Sequence, residues 1–410
     1  MKIGIICSYP PEGEKHAFGE GGISWYSSNL LSSFKAKGID YCVYANKTPE
    51  QPLETLINDN KKIIRCWTRG IFSTIQLSYQ ILKDRPNLIH IQYELFMLGK
   101  GVTALLSPFL FLAIRILRIP ILVTIHGIPP LSKLEKTFIQ GYGLKIPPII
   151  LRITLWIIVW IISSLSNQII LHRKDFIEVL TKEYHTSKQK IMIIPLGIEI
   201  PNKILDSEES KIKLGFQRKR VILFFGYLSK YKGLELLIES FRLLIKKHKD
   251  LLLIIAGDDT PGLAVRSRHP YSTILKSKAK KISPKIQFTG FINEEDIGLY
   301  FSASDLLVLP YSVGLSSSGP LSLAISYNTP FLISSELSSV INLEVASFEP
   351  NVLSITKKID QYLQNKNLRH EILRHASILK KERSWSRISA QTEQIYLNYD
   401  FGCREKIRQS

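Results

Sequence analysis

The chain has 410 residues, of which 45% are hydrophobic and 22% charged, which excludes both a single ordinary core and a disordered chain. Its formal charge of +19 calls for an acidic partner: nucleic acid, an anionic membrane surface or a phosphorylated small molecule. The basic residues fall in short groups such as Lys276, Lys278, Lys280 and Lys281 that read as solvated helix faces, and no zinc-finger or aromatic–basic RNA-binding spacing accompanies them, so no nucleic-acid partner is expected.

The chain opens on a strand-like run, 2–7, too short for the apolar region of a signal peptide, and no export is expected. Cys7, Cys42, Cys66 and Cys403 lie far apart and read as reduced thiols of a cytoplasmic protein. Further β-branched runs follow at 40–45, 88–92, 121–126, 168–172 and 191–195, with helix-type periodicity between them, the pattern of a parallel sheet covered on both faces. The apolar stretch 102–125 is interrupted by Pro108, Arg115, Arg118 and Pro120, so it reads as a helix and then a buried strand. Stretch 147–165 carries no charge from 153 to 162 but falls short of the about 20 apolar residues that cross a bilayer; it reads as a core or interfacial helix. Pro201, Asn202, Asp206, Ser207 and Ser210 then break the pattern as a linker does, placing a boundary near residue 205. A second series of strands occupies 220–226, 251–257, 285–290, 306–310 and 330–334, and a helical stretch containing Trp385 ends the chain. The expected division is 1–205, 206–371 and 372–410, with two Rossmann-like α/β/α domains that bind ligands at the carboxyl ends of their strands, across a cleft.

Four segments carry candidate chemistry. Glu20-Gly21-Gly22-Ile23 precedes a helix, where glycines let a ligand approach and free amides suit a phosphate, although a plain turn uses the same residues. His126 ends the strand Val123-Thr124-Ile125, where such folds keep their chemistry; His90 lies inside its strand and reads as structural. In Gly226-Tyr227-Leu228-Ser229-Lys230-Tyr231-Lys232-Gly233 two lysines stand before a helix, positioned to pair with phosphate oxygens. Ser316-Ser317-Ser318-Gly319-Pro320 opens another helix and suits either ordinary capping or an anion nest.

In order, these segments resemble the family-4 (group 1) retaining glycosyltransferases with the GT-B fold. The resemblance rests on Gly21-Gly22, His126-Gly127, Pro195-Leu196-Gly197-Ile198-Glu199, the loop from Gly226 to Leu237 and the run from Ile286 to Pro310. It implies an N-terminal acceptor domain, a C-terminal nucleotide-sugar domain and a final segment that crosses back to the first. It also implies His126 as the catalytic residue at the donor sugar, and Gly21, Gly22, Tyr227, Lys230, Lys232, Ser317, Ser318 and Gly319 as the donor-binding set. The donor is a nucleotide-diphosphate sugar, a substrate rather than a bound cofactor, and no protein metal site is expected. The acceptor is a glycan, a lipid-linked glycan or a glycolipid. Two departures stand out: Tyr227 replaces the usual arginine, and Leu315 and Leu323 replace a pair of glutamates. That loss leaves a non-catalytic partner subunit at the membrane as the alternative, with a basic nucleic-acid-binding protein behind it. The net charge, Trp156, Trp160 and stretch 147–165 lead to an expectation of peripheral attachment at the cytoplasmic face of an anionic membrane.

Overall fold

Strand β1 (Lys2–Cys7) runs between two parallel neighbours, β2 (Asp40–Asn46) and β5 (Leu88–Tyr93), and its Ile3, Ile5, Ile6 and Cys7 are buried. Residues on both sides of a parallel strand face a helical layer, which is why these runs are apolar at successive rather than alternate positions. The computed structural model describes residues 1–12, 14, 22–49, 51–99, 102–135, 146–259 and 270–408, the side chains of 102 and 400–408 excepted.

The chain divides into two units. The first comprises Met1–Leu131, Ile149–Gly197 and Trp385–Ser410. Its sheet has the order β3-β4-β2-β1-β5-β6-β7-β8, completed by β3 (Glu54–Asn58), β4 (Lys61–Trp67), β6 (Ile121–Ile125), β7 (Gln168–Leu171) and β8 (Ile191–Ile193). Only β3, at the edge, runs antiparallel to its neighbour. The longer helices before Gly197 are α1 (Gly22–Ser33), α2 (Ser73–Asp84), α3 (Ser107–Ile116) and α4 (Pro148–Leu165).

The β3–β4 pair was not expected from sequence, because Lys61, Lys62 and Arg65 make β4 look like surface. Two of these charges are buried against backbone carbonyls instead. Lys61 Nζ donates to Phe34 O at 2.8 Å, and Arg65 donates to Asn46 O at 3.1 Å and Pro10 O at 2.6 Å. Each buried cation thereby replaces its lost hydration with hydrogen bonds.

The second unit, Ser132–Pro148 and Ile198–Ser384, holds an all-parallel sheet of order β11-β10-β9-β12-β13-β14. Its strands are β9 (Arg220–Phe225), β10 (Leu251–Ala256), β11 (Ile286–Gly290), β12 (Leu306–Leu309), β13 (Phe331–Ser334) and β14 (Ser347–Phe348). Its longer helices are α5 (Ser207–Leu214), α6 (Leu234–Lys247), α7 (Tyr271–Ile282), α8 (Glu294–Ser302), α9 (Gly319–Ser326), α10 (Val352–Gln364) and α11 (Lys366–Glu382). The last helix, α12 (Trp385–Arg408), belongs to the first unit.

Both boundaries differ from the sequence expectation. The first division falls between Gly197 and Ile198 rather than near 205, because the linker-like residues build α5: Asp206 Oδ1 accepts from Glu209 N at 3.0 Å, and Lys211 pairs with Asp305 at 3.0 Å. The returning segment begins at Trp385 rather than 372, because α11 buries Leu368, Ile372, Ala376 and Leu379 in the core of the second unit. Trp385 packs on Gly197 so closely that a Cβ there would stand 2.5 Å from the indole, and it meets Trp25 of α1 edge-on at 5.4 Å. Farther along α12, one oxygen of Glu393 accepts from Lys35 N, Ala36 N and the Tyr41 hydroxyl at 2.6–2.8 Å, fixing the helix to the end of α1.

Candidate active site

In the second unit the chain leaves β9 at Gly226, turns through Tyr227 to Ser229, forms one 3-10 turn at Lys230–Lys232 and enters α6 after Gly233. Both glycines have positive φ, +119° and +67°, and a Cβ at Gly233 would stand 2.0 Å from Pro310 O. Only glycine fits that approach. The turn holds the two lysines differently: Lys230 is exposed, whereas Lys232 is buried, 7% exposed, between the rings of Tyr231 and Tyr311, whose centroids lie 6.0 and 5.7 Å from Nζ. No carboxylate among the described residues pairs with Lys232, and burial pulls its ammonium down to about 8. A buried, unpaired cation is costly, and an anion supplied from outside would offset that cost.

The start of α9 lies beside it. A Cβ at Gly226 would stand 3.1 Å from Lys232 Nζ and 3.3 Å from Pro320 Cγ, so the glycine turn, the ammonium and the first helical turn meet at one point. Ser318 caps α9 by accepting from Leu321 N at 3.3 Å, and Ser317 Oγ is buried with no partner among the described residues. Open space surrounds Gly319, where an added Cβ would meet nothing within 4 Å. Free amides at a helix start favour an anion, so this corner of the unit combines a cation, a glycine turn and a helix dipole. Tyr227, in the arginine's place, stacks edge-on against Phe291 at 5.7 Å. Leu323 packs partly buried against the core of this unit, and Leu315 is half-buried.

In the first unit His126 follows β6, as expected, but its ring sits in a buried network. His126 Nδ1 is 3.2 Å from His172 Nε2, and His126 Nε2 is 2.9 Å from the Gln92 side-chain amide. His172 Nδ1 lies 2.8 Å from Ile194 O. A carbonyl only accepts, so His172 carries its proton on Nδ1 and its Nε2 accepts; His126 therefore donates from Nδ1, and its Nε2 is an acceptor. The Gln92 amide consequently turns its NH2 group to His126, a half-turn about its terminal bond that exchanges the places of O and N and that the hydrogen-bond network requires. Its oxygen then faces His90 Nε2, 3.2 Å from the amide atom now assigned as oxygen. His90 donates from Nε2 to Thr124 Oγ1 at 2.7 Å and accepts from the Tyr396 hydroxyl at 2.6 Å. Burial holds all three imidazoles neutral: His90 is lowered to about 3, His172 to about 4, and His126 well below its usual range. Tyr26 covers His126 edge-on at 4.7 Å.

Both ring nitrogens of His126 are thus engaged within the unit. His172 was not singled out from sequence, although Leu171-His172 ends β7 just as Ile125-His126 ends β6, and that parallel placement was the available signal. Gly22 opens α1 with no atom within 4 Å of an added Cβ; Gly21 lies outside the described residues. Among the described residues no group of three or more His, Cys, Asp or Glu side chains could hold a metal ion.

Two sequence families match in succession: "Glycosyltransferase Family 4" over residues 20–200 and "Glycosyl transferases group 1" over 206–377. A glycosyltransferase of Bacillus subtilis is 40% identical over 96 residues, 23% of each chain. The alpha-monoglucosyldiacylglycerol synthase of Streptococcus pneumoniae is 26% identical over 176 residues, 38% of this chain and 37% of that one. These matches span well under half the length of either relative. Among solved structures, the sucrose-phosphate synthase of Thermosynechococcus elongatus superposes with a TM-score of 0.76 at 16% identity, covering 100% of both chains. Anabaena HepE, solved in complex with UDP-glucose, superposes with a TM-score of 0.69 at 14% identity over 97% of this chain and 100% of that one. With one family matched on the N-terminal half, the other on the C-terminal half, and two parallel-sheet units that share the fold of solved GT-B proteins, the chain belongs to the group 1, family 4 glycosyltransferases.

Proposed function

We propose that this protein transfers a sugar, with retention of anomeric configuration, from a nucleotide-diphosphate sugar to a glycan, lipid-linked glycan or glycolipid acceptor. The second unit binds the donor and the first the acceptor. The observation that carries this reading is the buried Lys232 ammonium beside Gly226 and the start of α9, a cationic corner with no carboxylate paired to it among the described residues. HepE with UDP-glucose supports the donor class by likeness, and the alpha-monoglucosyldiacylglycerol synthase supports a glycolipid among the acceptor classes.

Bond breaking leaves negative charge on the departing diphosphate. Lys232, the Gly319 amide and the Ser317 hydroxyl are oriented before the reaction and stabilise that charge without reorganising. The new glycosidic bond forms on the face the diphosphate leaves, and its departing oxygen takes the proton of the acceptor hydroxyl. Retention then needs no protein base. His126 is a positioning residue here, since its neutral ring is held by Gln92 and His172.

Binding and turnover test the reading separately. Uridine, guanosine and adenosine diphosphates and their sugars should shift the melting temperature, by about 2.7 kcal/mol of stabilisation at a hundredfold excess over Kd. Lys232→Ala should abolish the shift. Leu315 and Leu323 favour a second reading, a non-catalytic subunit: donor binding with no transfer across glycan and lipid acceptors would establish it. No donor binding at all would defeat both.

A further inference from the structure

Three helices of the first unit cover one face of its sheet. The connections β4–α2–β5, β5–α3–β6 and β6–α4–β7 all step the same way through the strand order, so right-handed crossovers put α2, α3 and α4 together; the β1–α1–β2 connection steps the opposite way and puts α1 on the other face. The outer surface of this layer is apolar. Phe72 and Tyr79 at α2, Phe109 and Ile116 on α3, and Ile153 and Trp160 on α4 are all exposed, Ile116 by 72%. Between α3 and α4 runs a groove of about 460 Å³ lined by Phe109, Leu112, Ile157, Ile161 and Leu165, with Thr154 its one polar side chain. Contiguous exposed apolar surface of this breadth marks an interaction site.

Charge selects the partner. Lys83, Arg115 and Arg152 are the basic residues of the three helices, and Arg85 and Arg118 follow α2 and α3 directly. Their only acidic residue, Asp84, is paired with Lys2. A second copy of the chain would bring this basic rim against itself, whereas an anionic lipid surface complements it. Nor does α4 cross a bilayer, although it is apolar over 18 residues and only 28% buried. It joins β6 to β7, which are parallel, hydrogen-bonded neighbours from Leu122↔Gln168 to Ile125↔Leu171, so both of its ends belong to one sheet.

We propose that the α2–α3–α4 face docks on an anionic bilayer, lying in its interface, with a lipid acyl chain in the α3–α4 groove. The inference stands apart from the donor site, which lies in the other unit.

The full chain is floated with vesicles of phosphatidylcholine alone or mixed with phosphatidylglycerol, at low and high salt. It should float with the mixed vesicles at low salt, with a blue shift of tryptophan fluorescence from Trp156 and Trp160. Phe109→Glu/Ile153→Glu, which changes only exposed side chains, should lower partitioning by at least about tenfold. Its melting curve and nucleotide-diphosphate binding should stay as in the parent, which separates this test from that of the donor site. Arg115→Glu serves as a second variant if the pair disturbs folding, and it should lower partitioning to anionic vesicles. Absence of flotation, unchanged flotation of the variants, or a concentration-dependent dimer that the double variant abolishes would each overturn the proposal.

Discussion

The imidazoles of His126 and His172 share a hydrogen bond of 3.2 Å whose direction is set at its far end, where Ile194 O accepts from His172. His126→Ala therefore orphans His172 Nε2 and the Gln92 amide together. A loss of about 1–3 kcal/mol for each buried group left unpaired is expected in urea denaturation. Transfer should fall while the Kd for nucleotide diphosphate, whose proposed site lies in the other unit, stays unchanged. An unaltered denaturation midpoint would show that the network contributes nothing.

The same network makes the protein acid-sensitive. His90 and His172 are neutral in the fold down to about 3 and about 4, but in the unfolded chain each takes up a proton near its ordinary value of about 6.5. Between those limits the unfolded state binds more protons, so stability is full above about pH 6.5 and declines as pH falls toward 4. Urea midpoints measured from pH 7 to pH 4 should decrease, and His172→Asn should flatten part of that slope.

Nucleotide affinity should respond at the alkaline side. Lys232 loses its proton near pH 8 in the free protein because of burial, and a bound phosphate holds the proton on. Affinity is thus level below pH 8 and falls above it, by up to about tenfold per pH unit. Calorimetric titration with a nucleoside diphosphate at pH 7 and pH 9 checks this. Lys232→Arg, which stays charged, should bind with little change between the two.

Two glycines of the same site should behave oppositely. Gly233→Ala drives a Cβ to 2.0 Å from Pro310 O at φ +67°, and a destabilisation of about 1–3 kcal/mol or more should appear in thermal melts. Gly319→Ala meets no atom within 4 Å, so stability should change by no more than about 0.5 kcal/mol. Its methyl group occupies the space over the α9 amide, and nucleotide-diphosphate binding should weaken without loss of fold.

Much of this architecture was readable from pattern. The buried parallel strands announced themselves because both their faces meet helices, and Gly226 to Gly233 marked a ligand turn because few other uses of such a loop need two glycines. The misses share one cause, side chains whose partners are remote in sequence. Lys61 and Arg65 look solvated until their carbonyl acceptors at Phe34 and Pro10 are in place. His126 resembled a free strand-end imidazole because nothing local reveals His172, 46 positions away, as its acceptor. Spacing alone does not separate Lys230 from Lys232; the 3-10 turn buries the second and exposes the first.

The clasp of Glu393 on α1 bears on the order in which the protein is made. Residues 198–384 of the second unit emerge from the ribosome as one continuous stretch and can close their core at once. Most of the first unit is translated earlier yet lacks Trp385, Glu393 and Tyr396 until the second unit has been made, so Gly197, Tyr41 and His90 wait without their partners. The N-terminal part of the chain is therefore the later to finish folding, against the usual vectorial order.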